Sequence, residues 1–341
     1  VLLRVSCPTD VLELGTSFYA AKVLLAAVEL GVFEALADGP LPARRLHTEC
    51  GLHPRTARDF LDVLVSLGLL ERSDILQPQP VYALTPVAEA GLVRGRPEYV
   101  GDFLTLADRR SYPLWGHLTD TLRTGEPGPG LDDRDLFDAV YADPKQASIY
   151  PAAMSSLSAP AIVALAEVFP WADQRTVCDV GASRGALLVH LTRRFPQLEG
   201  LGFDLPDVAP MFAEYVEQAG VGERVRFVPG DFFADQLPSA DVLVMGHILH
   251  DWNLETKRML LDKAHKALRP DGTLVIYETL IDDERRSNTF GLLMSLHMAL
   301  RTRGGFDYTA ADARSWLLDA GFRDVRVQHL VGAHSALIAT A

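Results

Sequence analysis

From about Thr176 onward, short apolar runs alternate with longer stretches whose apolar residues recur every three or four positions. The runs are Val177 to Val180, Gly200 to Phe203, Val225 to Val228, Val242 to Met245 and Thr273 to Tyr277, and their alternation with helical patterns predicts a mostly parallel α/β sheet. Two further runs, Val325 to Gln328 and Ala336 to Ala339, are joined by a link containing Gly332 that is too short for a crossover helix. The last pair is therefore expected as an antiparallel hairpin at the sheet edge, giving a seven-stranded, Rossmann-like domain with an antiparallel last strand.

The first hundred residues read as helices: Thr16 to Leu30 unbroken, Val32 to Leu36 after a break at Gly31, Leu41 to Cys50 and Pro54 to Leu67. Leu69 to Pro86 carries turn residues that suit a small β-wing, so this part is winged-helix-like. A DNA reader would set Arg55 and Arg58 into a major groove. Asp59 and Asp62 share that helix and no Lys/Arg cluster follows, which favours a packing or dimerisation role. A middle segment from about Pro97 to Val168 is again helical, broken by the Gly125 to Gly130 turn cluster.

Composition narrows the class. With 341 residues and 48% hydrophobic content the chain suits two sizeable cores. Three scattered cysteines, Cys7, Cys50 and Cys178, lack metal-ligand spacing, so a reducing cytoplasm is expected and no metal site. A net charge of −13 disfavours nucleic acid as a partner. Uninterrupted apolar runs fall far short of the roughly 20 residues of a spanning helix, so no membrane segment is expected. The chain opens on Val1 rather than Met, and no leader is read from it.

Candidate chemistry lies at the strand ends, where doubly wound sheets bind ligands. Asp179, Gly181 and Gly185 follow the first strand and open a helix, and the glycines allow a sharp turn against a ligand. Asp204 ends the second strand, followed by Leu205, where a carboxylate accepts both hydroxyls of a ribose. Asp231 and Phe232 end the third and suit an adenine amine and ring face. The fourth ends in Ile248-Leu249-His250-Asp251-Trp252, and an imidazole there takes a proton near neutral pH. Asp251 reads as a structural residue at the helix entry.

These motifs, in this order behind a helical N-terminal module, resemble those of the class I S-adenosylmethionine-dependent small-molecule O-methyltransferases of the plant caffeate and bacterial antibiotic-tailoring type. The usual DxGGGxG is Asp-Val-Gly-Ala-Ser-Arg-Gly here, and the lysine that plant members often carry four residues before the histidine is Gly246. The resemblance implies a dimerisation domain over 1–100, a helical linker over 101–168 that contributes to the acceptor pocket, and a cofactor-binding catalytic domain over 169–341. It places S-adenosylmethionine against Asp179, Gly181, Gly185, Asp204, Leu205, Asp231 and Phe232, with His247 as a cofactor-side or packing residue. It makes His250 the general base, with Glu278 as orienting partner and Asp307 as a shorter substitute for a second glutamate. Trp115, Met154, Met294, His297 and Met298 become candidates for lining the pocket, while Arg301 and Arg303 suit either a substrate carboxylate or the surface.

The expected function is O-methylation of a hydroxylated aromatic or polyketide-like molecule in secondary metabolism by a cytoplasmic homodimer. The same scaffold also admits C- or N-methylation or chemistry in which the cofactor only organises the pocket. A winged-helix regulator would need a basic recognition face that Asp59 and Asp62 interrupt.

Overall fold

The computed structural model describes residues 5–73, 79–96, 98–129 and 144–341. The chain divides into two compact units, Val1–Pro113 with Ala152–Leu157, and Leu114–Pro151 with Ser158–Ala341.

The second unit holds a seven-stranded sheet in the order β6-β5-β4-β7-β8-β10-β9. Its strands are β4 (Thr176–Val180), β5 (Glu199–Asp204), β6 (Val225–Pro229), β7 (Ala240–Gly246), β8 (Leu268–Glu278), β9 (Arg323–Val331) and β10 (His334–Thr340). β6, β5, β4, β7 and β8 pair in parallel, and β10 runs antiparallel to both β8 and β9. The reversed last strand is thus present, with β9 outside it at the edge.

Alternation along the strands divides the core between the two faces. Val177, Val242, Val244, Val275 and Tyr277 pack on one side, whereas Cys178, Val180, Leu243, Met245, Leu274 and Ile276 pack on the other. Polar contacts add register at the start of β7. The Asp241 carboxylate accepts from Thr176 N at 2.8 Å and from Arg269 Nη1 at 2.7 Å, which aligns β4, β7 and β8.

In the first unit, helices Pro8–Thr16 and Phe18–Glu29 meet at Ser17, so the single helix expected from Thr16 begins earlier and is interrupted. Leu41–Pro42, expected as helix, is a short strand, β1. Pro42 explains the difference, because proline drives the residue before it out of the helical region. β1 pairs with β3 (Val81–Leu84), which also pairs with β2 (Leu70–Arg72), and together they make the wing. Asp62, on helix Pro54–Ser66, accepts from the Tyr82 hydroxyl at 3.0 Å and pairs with Arg72 and Arg58. The carboxylate that interrupts the basic pattern therefore ties that helix to the wing.

The middle segment is helical over Gly101–Leu106, Tyr112–Trp115, Leu118–Thr124 and Pro144–Val168, and Gly125 closes the third of these at φ +74°. The remainder of the expected turn reaches residue 130, which lies outside the described residues. By length and composition alone, two helical stretches, Pro8–Glu29 and Ile149–Val168, are apolar enough to cross a membrane, a test that a core helix also passes. Half of the second window is buried within the protein, whereas little of the first is.

Gly246 ends β7 beneath a ring. A Cβ there would stand 2.0 Å from Cζ of Tyr277, which is itself buried. Gly246→Ala should lower stability by about 1–3 kcal/mol. Thermal unfolding should then show a Tm several degrees below that of the parent.

Candidate active site

Both halves of the site stand at the C-terminal ends of the parallel strands. After β4 the chain turns through Gly181 at φ +76° and Ser183 at φ +49°, and Gly185 at φ +86° opens helix Ala186–Arg194. A Cβ on Gly181 would lie 2.3 Å from Cδ1 of Ile248, and one on Gly185 2.8 Å from the Phe212 ring. The backbone therefore approaches its neighbours as only glycine permits.

Gly181 N–H donates to Phe203 O at 2.8 Å, Ala182 N–H to the same oxygen at 3.3 Å, and Ser183 N–H to Asp204 Oδ2 at 2.7 Å. Leu205 N–H donates to Asp204 Oδ1 at 2.7 Å. Three loop amides that would cradle a phosphate are thus used to bind the end of β5. Burial pushes Asp204 up to about 6 against the pull of the Ser183 and Leu205 amides, and burial with Asp204 alongside pushes Asp179 up to about 7.

Asp231 caps the turn after β6, where its Oδ1 accepts from Phe233 N at 2.8 Å. The Phe232 ring packs edge-on to Trp252 at 5.8 Å, and Lys263 Nζ fixes this turn by donating to the carbonyls of Phe232, Phe233 and Asp235. His247 sits at φ +55° among Tyr277, His334 and His250, with ring centroids 5.5, 5.2 and 5.6 Å away. Its buried Nε2 has no partner among the described residues, and burial holds the ring neutral.

His250 lies on a short turn, Leu249–Asp251, between β7 and helix Leu254–Ala267, and is only 6% exposed. Asp307 Oδ1 is 3.3 Å from its Nδ1. The shorter acid therefore reaches the ring. Glu278 Oε1 instead accepts the backbone N–H of His250 at 3.2 Å, so it orients the turn rather than the imidazole. Asp251, read from the sequence as a helix-entry residue, has Oδ1 3.9 Å from Nε2, and Asn253 is the true cap, accepting from Thr256 N at 2.9 Å. Burial disfavours the imidazolium, but Asp307, Asp251 and Glu278 outweigh it and carry His250 up to about 10. That is well above the near-neutral titration expected from the sequence.

Among the acceptor-side candidates, Trp115 Nε1 donates to His297 Nδ1 at 3.2 Å, and the rings stack 8° from parallel. The bond leaves the His297 proton on Nε2, and burial, followed by Arg301 and His250, pushes the ring down to about 3. On the same helix, Thr289–Arg301, Met298 is buried and Met294 half-buried. Met154 falls within Ala152–Leu157, which belong to the first unit. Arg301 lies over the Tyr150 ring, and Arg303 pairs with Glu126 at 3.3 Å.

Sequence reasoning missed Lys257, which is fully buried. A signal was present, because Lys257 falls on the apolar stripe with Leu260, Leu261 and Ala264.

Residues 115–323 match the model of the O-methyltransferase domain, and residues 12–94 match that of the O-methyltransferase dimerisation domain. The chain belongs to the S-adenosylmethionine-dependent O-methyltransferase family. It is 42% identical to a tetracenomycin polyketide synthesis 8-O-methyl transferase of Streptomyces glaucescens, over 95% of this chain and 94% of the relative. It is 35% identical to an N,N-dimethyltransferase of Streptomyces rimosus, over 97% and 96%. The structure of human N-acetylserotonin methyltransferase in complex with S-adenosylmethionine superposes with a TM-score of 0.90 at 27% identity, covering 99% of both chains.

S-adenosylmethionine is the cofactor of this O-methyltransferase family, and the loop fits it. The ligand has a ribose but no phosphate, and the loop pairs a buried carboxylate with amides already satisfied by protein. Asp204 is the candidate for the ribose hydroxyls. Asp204→Ala should weaken S-adenosylhomocysteine binding roughly 10- to 100-fold, the loss of a charge-assisted hydrogen bond of about 1.5–3 kcal/mol. Titration calorimetry of the parent should also show affinity falling as pH drops through about 6, where Asp204 takes up a proton.

Proposed function

We propose that this enzyme methylates a phenolic hydroxyl of an aromatic, polyketide-like small molecule in secondary metabolism, with His250 as general base, as a cytoplasmic homodimer. The observation that carries the base assignment is the buried imidazole held by Asp307 at 3.3 Å, on the turn whose Ile248 covers Gly181. The 42% identical tetracenomycin enzyme supports the acceptor class.

S-adenosylmethionine supplies an electrophilic methyl group on a sulfonium. The protein aligns a hydroxyl with that group and removes the hydroxyl proton. His250 takes the proton at Nε2, while Asp307 holds Nδ1–H and thereby the tautomer. Glu278 fixes the backbone that carries the ring, and Asp251 draws positive charge toward Nε2. A phenol of pKa ~10 matches an imidazole carried up to about 10, so the proton moves between groups of similar affinity. His297, neutral with its proton on Nε2, offers a donor to a carbonyl oxygen of the acceptor.

N-methylation is a second reading, favoured by the 35% identical N,N-dimethyltransferase. A neutral amine acceptor needs no base. Against a panel of phenolic and amine acceptors, His250→Ala should therefore lose roughly 10²- to 10⁴-fold in rate on phenols. Full activity of that variant, with product mass and NMR placing the methyl on nitrogen, would transfer the assignment to the second reading.

The pH dependence has a definite sign. His250 is competent as a base only when neutral, so kcat should rise with pH toward about 10. Asp307→Asn removes the leading attraction for the imidazolium, so this limb should move to lower pH while the plateau rate falls. A rate profile measured from pH 6 to 10.5 reads both effects.

Dimerisation is assigned to the helical N-terminal region, where Val11, Leu12, Phe18 and Tyr19 are 56%, 71%, 49% and 61% exposed. The match to the dimerisation model supports this reading. Sedimentation at low micromolar concentration should give a dimer, and Leu12→Asp with Phe18→Asp should shift it to monomer.

A further inference from the structure

His250 and Asp307 come from different segments, and their 3.3 Å contact requires those backbones to be held at a fixed separation. The Gly304–Gly305 pair presses one against the other. A Cβ on Gly305 would stand 2.7 Å from the carbonyl oxygens of both His250 and Asp251, and one on Gly304 2.8 Å from Asn253 Cβ. Contact this close excludes any side chain, but it supplies no attraction. Lys257 supplies it.

Lys257 begins the apolar face of helix Leu254–Ala267 and is fully buried. Its Nζ donates to Trp252 O, on the His250 turn, and lies 3.6 Å from the centroid of the Phe306 ring and 5.7 Å from that of Tyr308. Phe306 and Tyr308 flank Asp307 in the chain. One ammonium therefore touches the backbone that carries the base and the aromatic faces on either side of the acid that orients it. We propose that Lys257 is a positioning residue, an ammonium clamp that sets the His250–Asp307 contact by joining the His250 turn to the Phe306–Tyr308 segment.

The charged and titratable groups facing this clamp among the described residues are Asp251 from the turn, Glu278 from the end of β8, and Asp307 and Tyr308 from the clamped segment. Burial pushes Lys257 down to about 8, and Glu278, Asp307 and Asp251 oppose that push. A buried ammonium costs more than an apolar residue of the same volume unless its charge has a use. Here the charge grips a carbonyl and two π faces at once.

Positioning and simple charge compensation predict opposite signs. Removing a cation without moving Asp307 makes the surroundings of His250 more negative, and its proton affinity rises. Removing a clamp separates Asp307 from the ring, and the affinity falls. The test is an NMR titration of the histidine ring nitrogens in the full-length protein with S-adenosylhomocysteine bound, with His250 assigned by its loss in His250→Ala. Lys257→Met, which keeps the bulk and removes the charge, should lower the proton affinity of His250 about tenfold, in the direction of Asp307→Asn. Combined with Asp307→Asn it should add little further. Phe306→Leu, which retains a packed apolar side chain and removes the π face, should give a smaller fall of the same sign and serves if Lys257→Met does not fold. An unchanged or increased affinity in a folded variant, or full additivity with Asp307→Asn, overturns the clamp. The inference takes its catalytic meaning from His250 as base, but the titration uses no acceptor. A failed base assignment would appear in the His250→Ala rates and a failed clamp in the titration.

Discussion

The parallel pairing of β4 with β5 on one side and β7 on the other is the constraint on which the site depends. Because the three strands run together, the chain leaves all of them at one end of the sheet, and their next residues must share that edge. Gly181 follows β4, Asp204 ends β5, and Ile248 and His250 follow β7. The absence of a side chain on Gly181 lets Ile248 close over it, so the glycine loop and the turn bearing His250 are packed together. Asp241, binding Thr176 and Arg269, aligns the opposite end of these strands. A register slip of one residue would reverse which side chains face each layer and take the acids out of alignment.

The site edge gathers charge in a place where charge is costly. Asp179, Glu278 and Asp307 are nearly inaccessible, and the outer oxygen of Asp307 has no hydrogen-bond partner among the described residues. Such groups weaken a fold unless something offsets them. The offset on the catalytic side comes from His250 as a cation and from Lys257, two positive groups against Asp251, Glu278 and Asp307. On the cofactor side burial raises Asp179 and Asp204. Burial therefore raises acids in both halves, and what separates them is that His250 and Lys257 pull Glu278 and Asp251 back toward the charged form.

Much of this was legible in the sequence, because period-two alternation and terminal acids are local signals. The seven strands, the reversed last strand and the loop through Gly181 and Gly185 follow from patterns within a few residues. Asp307 and Glu278 were visible as candidates, but which of them meets the ring was not. That choice depends on how segments distant in sequence approach, and Gly304 and Gly305 set the approach against carbonyls that no pattern identifies. Lys257 was legible only as a polar residue on an apolar stripe. Leu41–Pro42 shows the limit in the other direction, since a local helical pattern gave way to a proline and a strand partner.

The histidine's basicity is a property of its surroundings. An isolated imidazole is too weak to hold a phenolic proton and mostly neutral at pH 7, whereas the three acids around His250 make it strong and mostly protonated. Those effects arise together, because an acid that stabilises the imidazolium after proton transfer also stabilises it before. What the arrangement gains is direction. Asp307 fixes Nδ1–H so that only Nε2 accepts, and Glu278 acts on the backbone instead of competing for the ring. Proton uptake then belongs to the cluster rather than to one residue, and the effects of altering its members should not add. A cation such as Lys257 enters the same balance with two opposing influences, since its field disfavours the imidazolium while its grip preserves the contact that favours it.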